Sequence, residues 1–239
     1  MASFSAYPQN VTFQTVNVAK GGGSENLLIN PRGKINQLNE ADGVLAAGQY
    51  FCDGWKAGAL GAEVYIDDDG FRLISGSIVQ LVPNGIEFGR NLRSNMDVIS
   101  GTPVMSINGG TSNEPNGAGA YIQFEISGDN SKFTRLILAE SVELPIFQQG
   151  QDELTPCKRF LQVYGGAGNS YPMILNMHTS NTQYGSMPLV PEMADRPAVS
   201  IGGQTQTVGI VHISRKTLTA VAKNSTGMAL LSFTLDARP

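Results

Sequence analysis

Ala62-Glu-Val-Tyr-Ile-Asp-Asp-Asp-Gly-Phe-Arg-Leu-Ile-Ser-Gly-Ser-Ile-Val-Gln-Leu-Val82 decides the fold class. Two apolar runs, Ala62–Ile66 and Phe71–Ile74, flank Asp67-Asp-Asp-Gly70, where three short polar residues and a glycine free to take positive φ spell a hairpin turn. Ser77–Val82 follows as a third run and ends at Pro83-Asn-Gly85, a second tight turn. β-Branched and aromatic residues bounded by turn residues predict strands, and no 3.6-residue period fits them.

The same grammar extends in both directions. It predicts strands at Asn26–Asn30, Val44–Phe51, Gly85–Phe88, Tyr121–Ile126, Arg135–Ala139 and Val142–Phe147. Beyond residue 150, Asp152 caps a short helical turn running from Leu154 to Arg159. Strands are then expected at Phe160–Tyr164, Tyr171–Met177, Ala198–Ile201, Thr207–Ile213, Thr217–Ala222 and Met228–Leu235. Ser106–Ala120, rich in Gly and Asn, reads as a long irregular surface loop. With no sustained helical moment anywhere, an all-β sandwich is the expected outcome.

Composition agrees. Charged residues are only 15% of the 239, while Gly (28) and Pro (12) are plentiful, as many short strands and tight turns require. Hydrophobic residues at 41% leave enough apolar surface for a real core. Net charge is −4, with no basic run to serve as a phosphate-binding face, so no nucleic-acid partner is expected. No apolar run approaches the roughly 20 residues of a membrane helix, and the N-terminus lacks the charged and apolar regions of a secretory signal. Cys52 and Cys157, far apart and outside any metal-binding spacing, read as buried thiols of a protein made in a reducing cytoplasm.

Residues 1–25 stand apart. Val11–Val18 alternates with period two, and Lys20-Gly-Gly-Gly-Ser24 after it forms a flexible joint. A lone strand on such a joint cannot bury its own apolar face. It is therefore expected to be an arm that docks through Phe4, Tyr7, Val11 and Phe13 on the body, a neighbouring subunit or another partner.

Chemistry-bearing residues are sparse. His178 and His212 are the only groups that titrate near neutrality, and neither lies beside a recognisable nucleophile. Asp67-Asp68-Asp69 lacks the alternating spacing and distal Glu of a calcium loop and reads as a solvated turn. Trp55 is expected in the core with its N–H bonded. Tyr164, Asn169, Ser170 and Tyr171, around the glycine-rich Gly165–Gly168, have the aromatic faces and amides that suit a sugar. The same residues suit still better an exposed turn between strands with the tyrosines packed. No cofactor, metal or catalytic residue is expected.

Asn26-Leu-Leu-Ile-Asn-Pro-Arg-Gly-Lys-Ile-Asn-Gln37, followed by Gly48-Gln-Tyr-Phe-Cys-Asp-Gly-Trp55, resembles the opening of a tailed-phage tail-fibre module. Leu138-Ala-Glu-Ser-Val-Glu-Leu-Pro-Ile-Phe147 is similar to that family's last jelly-roll strand. Glu153-Leu-Thr-Pro-Cys-Lys-Arg-Phe160 resembles its E-L-x-x-C-x-R segment, and Pro191-Glu-Met-Ala-Asp-Arg-Pro-Ala-Val199 a later strand. The four elements fall in family order across residues 26–199. The resemblance implies a carbohydrate-binding-like jelly-roll β-sandwich over residues 26–150, a C-terminal β extension over 151–239 and assembly as a homotrimer. It further implies a non-enzymatic virion protein on a fibre or spike that contacts other virion proteins and host-surface polysaccharide. A capsid decoration protein anchored by the arm is the alternative, and a capsule depolymerase the third.

Overall fold

The computed structural model describes residues 25–165, 173–177, 183–204, 208–222 and 227–239. Among these it is an all-β sandwich protein with one short helix.

The first nine strands are β1 (Gly43–Leu45), β2 (Tyr50–Cys52), β3 (Trp55–Asp67), β4 (Gly70–Pro83), β5 (Asn91–Ser100), β6 (Val104–Ile107), β7 (Asn113–Pro115), β8 (Tyr121–Ser127) and β9 (Ser131–Glu140). They form one antiparallel array ordered β1-β3-β4-β9-β5-β7, with β8 on β4, β6 on β8 and β2 on β3. The long β3–β4 hairpin explains how one array makes two faces. Phe71–Leu73 pair with β9, whereas Ser77–Pro83 pair with β8. Between these halves the ladder slips beside Gly61 and Gly76, both at positive φ. A side chain on Gly76 would strike the Gly61 carbonyl, so only glycine permits the bulge at which the strand changes partners.

Phe71–Ile74 and Ser77–Val82 are thus one bulged strand rather than two. The Asp67–Gly70 turn stands as expected, with Gly70 at φ +150° and Asp67 paired to it. Asn26–Asn30 is not a strand: it clips onto β9 through Leu27 N–H to Leu138 O (2.8 Å) and then turns at Asn30 (φ +47°). Gly85–Phe88 and Val142–Phe147 are also irregular. Ser106–Ala120 contains the end of β6 and all of β7, tied by Ile107 N–H to Thr111 O.

Between the faces, Trp55, Phe51, Phe71, Phe124 and Phe133 are fully buried. Trp55 meets Phe71 edge-to-face at 5.4 Å, and Phe71 stacks on Phe133 at 5.8 Å. Each such ring contributes about 2–3 kcal/mol by leaving water. The indole N–H of Trp55 donates to Asn30 O at 2.9 Å, as its place in the core requires.

After α1 (Leu154–Lys158) come β10 (Leu161–Tyr164), β11 (Met173–Met177), β12 (Gln183–Pro188), β13 (Ala198–Gln204), β14 (Val208–Ile213), β15 (Thr217–Ala222) and β16 (Gly227–Asp236). Strands β10, β11 and β13 pair with β16, and β12-β15-β14 form a separate sheet. Leu218, Ala220 and Ala222 of one sheet and Leu231, Phe233 and Leu235 of the other belong to a second core. Asp152 does cap α1, its Oδ1 accepting from Leu154 and Thr155 N–H.

Candidate functional site

The motif residues meet where the two cores join. Asn26 donates to Leu136 O and accepts from Leu138 N–H, which pins the chain to β9. The buried Asn30 amide donates to Ile35 O and Asp53 O while its oxygen accepts Ile35 N–H. The equally buried Asp53 carboxylate accepts the Gln37 backbone and side-chain N–H groups at 2.8 and 2.6 Å. Gln37 reaches on to Leu161 O at 2.8 Å, and Arg32 pairs with Glu153 at 3.0 Å. Ala194 N–H donates to Arg159 O at 2.6 Å. Asn26, Asn30, Gln37, Asp53 and Trp55 are therefore committed to each other and to the neighbouring backbone.

The C-terminal strand closes the same junction. Arg238 donates from Nη1 to both Glu40 oxygens (2.8 and 2.9 Å), from Nε and Nη2 to Asp236, and lies 4.1 Å over the Tyr50 ring. Tyr50 Oη and Lys56 Nζ donate to Pro239 O. Burial raises the Glu40 carboxyl above its ordinary value, and the Arg238 hydrogen bond and charge pull it only partway back. Burial likewise pushes the Tyr50 phenol up to about 12. The crevice left here, bordered by Leu27, Tyr50, Phe160 and Arg238, has a volume of about 20 Å³. That admits one water and no larger ligand.

The Tyr164 ring stacks on Phe233 at 4.9 Å and its hydroxyl donates to Gln162 at 2.6 Å. Asn169, Ser170 and Tyr171 lie outside the described residues, as do His178 and the arm residues Phe4, Tyr7, Val11 and Phe13. The described residues thus neither bring the four loop residues together nor separate them. His212 is exposed on β14.

The acidic turn is compensated by cations. Lys132 pairs with Asp67 and Asp69 at 2.9 and 2.6 Å, and Arg72 with Asp67 at 3.0 Å. Lys34 donates to the Asp67 and Asp68 carbonyls. Arg72 first and Lys132 next hold Asp67 below the usual carboxylate range, and Lys132 does the same for Asp69. With the Asp67 and Asp69 carboxylates taken up by lysine and arginine, the triplet reads as a turn. Among the described residues no group of three or more His, Cys, Asp or Glu could hold a metal. Cys52 and Cys157 are free and buried, with thiols raised first of all by that burial.

The surface feature that sequence reading missed is a strap. Ser141 is tied to Asn91, after which the chain runs back beside β5: Arg93 donates to Val142 O and Asn95 to Pro145 O. Pro145 is buried, but Val142, Leu144 and Ile146 are 74%, 54% and 73% exposed. Alternation that reads as a core strand here points outward. Beside Ile146, the Asp97–Arg135 ion pair (3.0 Å) forms the floor of an open groove. An adjoining depression of about 940 Å³ shares Asp97 and Arg135 and is bordered by exposed Val98 and Ile99 and by Lys34, Asp68 and Asp69. Arg135 takes φ +53° at the irregularity in the β5–β9 ladder. Such a bulge re-aims a side chain, here out of the sheet and into the groove.

Comparison of the chain with family models, with curated proteins and with solved structures returns no match.

Proposed function

We propose that this chain is a non-enzymatic structural component of a tailed-phage particle, a surface fibre or spike module of jelly-roll type that assembles as a homotrimer and faces host-surface glycans. The observation that carries the reading is the convergence of the family-like segments. Arg32 and Gln37 of the first engage Glu153 and Leu161 in and just beyond the third, and Arg159 of the third engages Ala194 of the fourth. Segments matched by chance have no reason to interlock, whereas a shared architecture demands it. Rigid, internally satisfied motifs with apolar side chains left on an outer strap suit a protein whose work is assembly.

Antibodies raised against residues 26–239 should decorate purified particles at discrete surface positions, and light scattering should give three chains per unit. Particles free of this protein by mass spectrometry would overturn the reading. In this reading glycan contact falls to Tyr164, at the end of β10, together with Asn169, Ser170 and Tyr171. A glycan array without hits, or hits that survive joint Asn169→Ala and Tyr171→Ala substitution, would remove that part of it.

The decoration-protein alternative draws on the sequence of residues 1–24, with its Gly21-Gly22-Gly23 joint, ahead of a body whose first described residues are clamped to β9. Deleting residues 1–24 would then abolish incorporation into heads and leave tails unchanged. The depolymerase reading predicts new reducing ends in treated capsule polysaccharide, and none are expected.

A further inference from the structure

We infer that the apolar face formed by the strap and the β5 end of the groove is the docking site for this chain's own N-terminal run, Val11–Val18. The surface itself asks for a cover. Val98, Ile99, Val142, Leu144 and Ile146 are large apolar side chains, each about half exposed or more, and Val98 and Ile146 flank the same Asp97–Arg135 pair. Val98 and Ile99 border one part of the groove and Ile146 the adjoining part, with Val142 and Leu144 further along the strap, which exceeds the scattered exposure that is normal for a soluble surface.

Three observations select the occupant. The first is position. Asn26 is fixed to Leu136 and Leu138 of β9, and it lines the same cleft as Phe147 and Gln148 at the far end of the strap. The chain N-terminal to it therefore leaves the body beside the surface to be covered. The second is reach. Six residues lie between Val18 and Glu25, seven Cα–Cα steps or about 23 Å when extended, and Gly21-Gly22-Gly23 among them permits any reversal of direction. The third is chemistry. In an extended run Val11 and Phe13 share one face and Val16 and Val18 the other, so either face supplies two apolar side chains, and Lys20 is the only charged side chain in residues 1–24. Of the groove's charges, Arg135 is paired to Asp97, Arg32 to Glu153 and Asp69 to Lys132, while Lys34 and Asp68 also border it, so it is the apolar side chains rather than charge that favour a nearly neutral strand. A tethered segment so close also enjoys a far higher effective concentration than the same segment on a separate chain. This inference does not rest on the virion reading and would hold for the isolated protein.

The test places p-benzoylphenylalanine at Phe13, a photo-cross-linker that captures C–H bonds within its reach and so tolerates an unknown register. Irradiation of the full chain should give adducts mapping to residues 96–99 or 142–149 at the mass of one chain. Replacing Val142, Leu144 and Ile146 together with serine should cut their yield several-fold. Adducts to the same residues at the mass of two or more chains would overturn the inference in favour of a sister copy's arm. Adducts elsewhere, or none, would overturn it outright.

Discussion

Asn30 combines two demands that few side chains meet. Its backbone sits at φ +47°, a region where asparagine is tolerated and β-branched residues are not. Its amide, 1% exposed, serves Ile35 and Asp53, while its carbonyl receives the Trp55 indole. Alanine would keep neither property and would strand buried backbone groups, each costing about 1–3 kcal/mol. Asn30→Ala should therefore lower the unfolding free energy by about 3–5 kcal/mol, and Asn30→Gly, which keeps the backbone freedom, by less. Fluorescence of Trp55, the sole tryptophan, reads both. A loss under about 1 kcal/mol for alanine would mean that water replaces the amide without penalty.

Glu40 and Arg238 make the opposite case, a partly buried pair whose net value is small. Burial raises the Glu40 carboxyl, so the folded state holds its proton to higher pH than the unfolded chain does. Above the unfolded value of 4.5 the folded state then binds more protons, and this group's contribution to stability falls as pH rises through the window between the two values. Glu40→Gln should remove that slope and stay within about 1 kcal/mol of the parent at neutral pH. Arg238→Met, by contrast, leaves Glu40 and Asp236 without their counter-charge and should cost about 3–5 kcal/mol. Urea unfolding at stepped pH decides it, and an unchanged slope in the glutamine variant assigns the effect to another group.

At the scale of elements, the β3–β4 turn shows how a charge run becomes structure. Lys132 of β9 bridges Asp67 and Asp69, and Arg72 holds Asp67 from within the hairpin. Both carboxyls are depressed below 3.8, so the stability they add is present above that pH and disappears as acid titrates them. Lys132→Met should flatten the acid limb of a stability-against-pH curve. Millimolar calcium should move the melting temperature by less than about 1 °C, whereas a true calcium site would raise it clearly.

This hairpin was legible because its cues are local: turn residues at fixed offsets between β-branched runs. Strand β5 was not. It buries Leu92 and Ser94 and turns Arg93, Asn95 and Asp97 outward, and a buried serine among polar neighbours hides the alternation. Val142–Phe147 misled in the other direction, since alternation fixes which side chains share a face without saying whether that face is covered. The Tyr164–Phe233 stack joins residues far apart in the chain, and the groove needs β5, β9 and the strap at once. Contacts of that range leave no trace in spacing or composition. The Asn26–Gln37 and Glu153–Phe160 segments stand out in the sequence, but that their polar residues serve the junction is visible only in the fold.

Taken whole, the molecule is two β cores of unequal character held together by polar clasps. The first is a large array around five fully buried aromatic rings; the second draws on shorter strands tied by β16. Between them lie Arg32–Glu153, Gln37–Leu161 O and the Arg238 cluster, contacts that a modest opening breaks without melting either core. The cysteines sit so as to report the difference. Cys52 belongs to the first core, and Cys157 lies on α1, one turn from Glu153, to whose carbonyl its thiol donates. Burial raises both thiols, and the thiolate is the reactive form, so neither should react while the protein is folded. In rising denaturant Cys157 should alkylate first, because losing the clasps suffices to expose it, whereas Cys52 must await collapse of the aromatic core. Arg32→Ala or Gln37→Ala should widen the interval between the two events and leave the Cys52 midpoint nearly in place. If both thiols react together in every variant, the clasps transmit unfolding across the junction and the two cores form one cooperative unit.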